Sequence, residues 1–149
     1  GPQGPQGEQG PQGPQGPQGP SVGALATFVE TDPTGQTVPA GTAVAFPTTV
    51  LSDGGSITRV DASTFSLNTF PGTYEVTINL PTAAGSTGNA AVVVNGVTVA
   101  AFAPLGAPPS TIVGTISFAI SGVPTLQIQA TGGTLALSPG GSIIIQRLA

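Results

Sequence analysis

The sequence predicts an all-β protein, an antiparallel sandwich or jelly roll preceded by a collagen triple-helical tract. Three observations carry this. Gly stands at every third position from Gly1 to Gly19 without a miss. Beyond Ser21, apolar and polar residues alternate with period two, broken at regular intervals by Gly, Pro or Asn. No stretch combines helical periodicity with an N-cap residue.

The first element is the tract, whose triplets read GPQ, GPQ, GEQ, GPQ, GPQ, GPQ and GPS. A strict third-residue Gly with Pro at the X position is the signature of the collagen triple helix, where only a hydrogen atom fits at the crowded axis. Such a strand has no stable single-chain form, so three copies must meet and the protein is expected to be a homotrimer. The tract would extend roughly 60 Å. It is short, so the domain behind it is expected to hold the three chains together. Gly1 opens in phase with the repeat, which suggests a longer collagen-like parent. The expected organisation is a tract over 1–21 and one domain over 22–149, a length suited to a single core.

Strands follow from alternation. Tyr74, Val76, Ile78 and Leu80 alternate with Thr73, Glu75, Thr77 and Asn79, the pattern of a strand with one buried face. Ile116, Phe118 and Ile120 repeat it, as do Leu126, Ile128 and Ala130. Val92 to Val99 reads as a hairpin, because Asn95-Gly96 supplies the two positive φ angles of a type I′ turn. Gly132-Gly133 and Gly140-Gly141 mark further tight turns. About eight to ten short strands are expected from this spacing.

Two runs break the alternation. Val92-Val93-Val94 and Ile143-Ile144-Ile145 are apolar at every position, so both faces of those strands need a cover. In a trimer that cover is the neighbouring subunit; a loop of the same chain is the other solution. Phe65, Phe102, Phe118 and Tyr74 read as packing groups rather than ligand-stacking ones. The residues expected at the trimer interface are Ile143, Ile144, Ile145, Val92, Val94 and Tyr74.

The remaining inventory excludes chemistry. The 149 residues contain no Cys, His, Lys, Met or Trp, and their net charge is −4. No thiol, imidazole or lysine amine nucleophile exists, nor a metal site built from nitrogen and sulfur ligands. Ser and Thr are plentiful but have no base to activate them. Glu30, Asp32, Asp53 and Asp61 lie in or near turns and lack the spacing of a Ca²⁺ loop. Glu75 reads as a solubilising charge on a Thr-rich strand face, with no Asp placed near it for glycoside chemistry. Two arginines cannot neutralise a nucleic-acid backbone, so Arg59 and Arg147 read as salt-bridge partners. No apolar run is long enough to cross a membrane as a helix, and no N-glycosylation sequon occurs. The expectation is a protein with no enzymatic activity, cofactor, metal, nucleic-acid partner or membrane span.

Gly41-Thr42-Ala43-Val44, Phe65, Gly72-Thr73-Tyr74-Glu75-Val76, Val94-Asn95-Gly96 and Ser142-Ile143-Ile144-Ile145-Gln146-Arg147-Leu148 together resemble the C1q/tumour-necrosis-factor family. The Gly-x-Tyr-x-Val piece is similar to that family's Gly-x-Tyr-x-Phe. The resemblance implies a ten-stranded jelly roll that trimerises through its apolar faces. Within that group, Asp61-Ala62-Ser63-Thr64-Phe65, the Val-Asn-Gly hairpin and the Ser-Ile-Ile-Ile ending resemble the collagen-like exosporium glycoproteins of Bacillus, the BclA family. That likeness implies a structural protein of the bacterial spore surface, extracellular in the exosporium, whose jelly roll nucleates and caps a collagen-like stalk and serves surface adhesion. Other spore-surface or appendage proteins and host ligands would then be its partners. Stalks in those relatives carry glycosylated Thr at Y, whereas this tract has Gln there and Ser21 alone. The alternative implied by the same group is a recognition head, C1q-like or at a phage or virus fibre tip, that binds host proteins or glycans.

Overall fold

A computed structural model describes residues 1–16, 25–29, 35–52, 57–67 and 72–148, with the side chains of 25–29 and 51–52 left aside. The expected boundary at Ser21 and the acids Glu30, Asp32 and Asp53 lie outside the described residues. Residues 1–16 have no hydrogen-bonded secondary structure and are exposed throughout.

The described residues of the domain form twelve strands and no helix. They are β1 (Leu25–Val29), β2 (Gln36–Val38), β3 (Thr48–Ser52), β4 (Ile57–Asp61), β5 (Thr64–Leu67), β6 (Gly72–Thr82), β7 (Asn89–Val94), β8 (Val97–Phe102), β9 (Ser110–Ile120), β10 (Thr125–Thr131), β11 (Leu135–Leu137) and β12 (Ser142–Arg147). The count exceeds the expected one because β2 and β11 are three-residue strands. Pairing of the two, not a period-two pattern, defines them.

Two antiparallel sheets face each other. In the first, β3, β1, β12 and β6 lie side by side, β9 pairs along the far edge of β6, and β11 and β2 continue from the end of β6. The second runs β4-β5-β10-β7-β8. Alternation places Tyr74, Val76, Ile78 and Leu80 of β6, Ile143 and Ile145 of β12, and Leu126, Ile128 and Ala130 of β10 in the core between them. Ile116, Phe118 and Ile120 of β9 pack against that core while keeping some exposure. The hairpin turn has φ of 49° at Asn95 and 79° at Gly96, as a type I′ turn requires. Asn95 is fixed further by its own N–H, which donates to the Thr125 carbonyl at 2.9 Å, and by its Oδ1, which accepts from the Thr125 N–H at 2.9 Å.

Two core residues come from outside any strand. Val44 and Phe46 are fully buried in the segment between β2 and β3. The segment is tied down by backbone bonds from Val44 N–H to Ile128 O (2.7 Å) and Phe46 N–H to Ala62 O (2.7 Å). The Gln36 amide supports it as donor to Ala45 O and acceptor from Ala45 N–H, both at 2.9 Å. Phe46 then packs at a tilt on Phe65, ring centroids 6.2 Å apart.

Register fixes the ends of the sandwich. Leu25 pairs with Gln146 and Tyr74 with Arg147, so the start of β1 and the end of β12 share one end. Thr82 pairs with Ser110 and Thr131 with Asn89, so the loops 83–88, 103–109 and 132–134 gather at the other.

Candidate self-association surface

The face of the first sheet turned away from the core is a grid set by strand register. On β12, β6 and β9, the rows read Ser142–Asn79–Val113, Ile144–Thr77–Thr115 and Gln146–Glu75–Ser117. Cross-strand neighbours of this kind lie about 5 Å apart, so short side chains produce a flat surface. The hydroxyls of Thr77 and Thr115 hydrogen-bond to each other at 3.1 Å, which links β6 to β9 on this face. Glu75 is the one charge in the grid, and Ile144 and Val113 are its large apolar members, 37% and 44% exposed. Few charges and little relief are the properties of a surface that can be covered by another protein.

Beside this face, β8 and β9 form one long edge. Gly114 of β9 lies under the ring of Phe102 of β8, so close that a Cβ there would stand 2.4 Å from the ring carbons. That contact closes the side of the sandwich between its two sheets. Val97, Val99 and Val113 leave apolar surface exposed along this edge. The loop above it contributes Leu105, 75% exposed, whose N–H donates to Thr111 O at 2.9 Å. From Ala100 to Pro109 no side chain is polar.

Burial within one chain sorts the six residues expected at the interface. Tyr74, Val92, Ile143 and Ile145 have no exposed surface, because they sit on the core side of their strands. In the single chain these four side chains are already covered by their own core. Ile144 faces outward, and Val94 is half-buried at the end of β7. The run Ile143-Ile144-Ile145 is therefore an ordinary alternating strand whose outward residue happens to be apolar. On β7 the second cover is internal. Val93 and Ala91, on the outer face, are buried in the single chain with Gln127 and Gln129 of β10 as cross-strand neighbours. Gln129 Nε2 donates to Gln127 Oε1 and Gln127 Nε2 to Thr64 Oγ1, each at 2.8 Å, which holds these amides across the sheet.

The charged groups have structural duties. Arg59 donates to the backbone carbonyls of Phe46, at 3.2 Å, and Pro47, in place of the expected salt bridge. Arg147 is 3% exposed and occupies a core-side position on β12, opposite Tyr74 in register. Asp61 accepts the Ser63 N–H at 2.8 Å across the β4–β5 turn, and this bond holds its carboxyl below the usual carboxylate range. Among the described residues no three metal-ligating side chains gather, and no pocket opens. The surface missed by sequence reasoning is the β8–β9 edge. Its signal was available in the unbroken apolar stretch Ala100–Pro109.

Two facing antiparallel sheets in this order define a jelly roll of the C1q/tumour-necrosis-factor kind. The solved structures similar to it include the globular domain of zebrafish complement 1qA (TM-score 0.65, 9% identity, covering 84% of this chain and 96% of that one). Eiger TNF from S. frugiperda is similar as well (TM-score 0.67, 13% identity, 87% and 94% covered). So is the PRD1 vertex protein P5 (TM-score 0.55, 20% identity, 87% and 100% covered). Identities this low establish the shared fold alone. Residues 27–149 match the BclA C-terminal domain, and the chain belongs to that family. No curated protein matches it in sequence.

Proposed function

We infer that this chain is a structural surface protein in which three jelly rolls associate and cap a collagen-like stalk. The observation that carries the reading is the repeat itself. At Gly1, Gly4, Gly7, Gly10, Gly13 and Gly16, an added Cβ would meet nothing within 4 Å, and none of them has a positive φ. Neither crowding nor backbone conformation inside one chain calls for glycine there. The demand comes from other chains, as it does at the axis of a triple helix.

The flat outer face of the first sheet and the apolar β8–β9 edge support the same reading. An edge that packs into the face of the next copy forms a heterologous contact, and three such contacts close a ring. Membership of the BclA family supports a place on the exosporium of a bacterial spore, with the tract as part of the stalk. The test is Ile144→Asp. A carboxylate covered without a partner costs several kcal/mol, so the variant should lose its trimer while a single chain keeps its strands. An Ile144→Asp protein that stays trimeric and equally stable would place the interface elsewhere.

A second reading, recognition of a protein or glycan partner through the loops opposite the termini, is favoured by the exposed Leu105 on its apolar loop. Saturable binding that Leu105→Ser abolishes with the trimer intact would establish it.

A further inference from the structure

The side chains that oxidants attack first are either missing from this chain or enclosed by its fold. Thiol and thioether sulfurs react soonest, and the 149 residues have neither Cys nor Met. Indole, imidazole and Lys amines, the next targets of an electrophilic halogen such as hypochlorous acid, are also absent. One phenol remains. Tyr74 lies on the core side of β6 with 0% of its surface exposed, between Phe118 of β9 and Arg147 of β12 in register. The two guanidinium groups are engaged or enclosed: Arg59 donates to the Phe46 and Pro47 carbonyls, and Arg147 is buried. The outward grid consists of Thr, Ser, Asn, Gln, Val and Ile with a single Glu, none of which such oxidants modify readily.

We propose that the folded domain is an oxidant-resistant surface, one that meets hypochlorous acid and peroxides without loss of fold or gain of mass. The reaction it prevents is chlorination of Tyr74. In that step a C–Cl bond forms beside the phenol hydroxyl, the ring proton leaves, and the hydroxyl of hypochlorous acid departs with it as water. The electrophile must reach the ring edge, so the step waits for the sandwich to open. Protection arises within one chain and does not rest on trimer formation, so its failure and that of the association reading are separately visible.

The experiment exposes the full chain to hypochlorous acid, quenches with thiosulfate to reverse chlorination of the terminal amine, and reads intact mass and the Tyr74 peptide. The dose is the one that fully chlorinates the phenol of a free peptide spanning Gly72–Thr77, and a Leu105→Met variant, whose sulfur stands on the exposed loop, confirms that oxidant reaches the protein. At that dose the native protein should keep its mass and its strand signal in circular dichroism. Chlorination of Tyr74 should be about 100-fold slower than in that free peptide. Chlorine on Tyr74 at the free-peptide rate, or loss of the strand signal in the native protein, would overturn the proposal.

Discussion

Gly114 shows how a residue without a side chain can hold two sheets together. Its position in β9 leaves room for the Phe102 ring of β8, and a Cβ would enter that ring's space at 2.4 Å. Gly114→Ala should cost about 1–3 kcal/mol in denaturant unfolding through overpacking. Combining it with Phe102→Leu should cost less than the sum of the two, since the smaller side chain makes way. Asp61 gives a pH prediction. The Ser63 N–H lowers its folded-state pKa, so the stabilisation is complete above the ordinary Asp value and fades as pH falls through the lowered one. Thermal melts of the native protein and of Asp61→Asn should therefore converge in acid and separate near neutrality. A gap that is independent of pH would mean that the Asp61 charge does not matter. Phe65 was legible as core from its apolar type within a β-patterned stretch. Phe46 was not, since the chain around it has no period and reaches the core only through bonds to Ile128, Ala62 and Gln36 that no local pattern encodes.

Strands that alternate were readable in advance, and β6, β9 and β10 have the inward residues expected of them. Triple-apolar runs were ambiguous, because identical residue types at consecutive positions conceal which one faces out. Register resolves this: Ile143 and Ile145 face the core and Ile144 pairs with Thr77 on the outer grid. The two faces should respond differently to one charge. Ile145→Asp should unfold the domain, with loss of the strand signal, because its carboxylate would enter an apolar core. Ile144→Asp should spare the strand signal and lower the mass in solution. Equal unfolding by both substitutions would remove the distinction between core and association face. The β8–β9 edge was missed for a related reason. Its partner strands lie in different sheets, and only the fold shows that Phe102 and Gly114 meet.

The proposed association involves three chains at once, and the two parts of this one would contribute unequally to it. A tract of seven triplets with Gln at Y is a weak holder by itself, so the jelly roll is expected to set the trimer. A chain shortened to residues 22–149 should remain trimeric, whereas one truncated to the tract alone should not associate at micromolar concentration. The repeat was the most legible feature of the sequence, since a three-residue phase has one steric explanation. The surface that complements it was less so, because a face of Thr, Ser, Asn and Gln with one Ile, one Val and one Glu looks like an ordinary solvated sheet until its charge content and its neighbouring edge are seen together. Sedimentation equilibrium of the unmodified chain tests this account most directly. A mass three times that of one chain, constant over the micromolar range, is the result it predicts, and a monomer at those concentrations would contradict it.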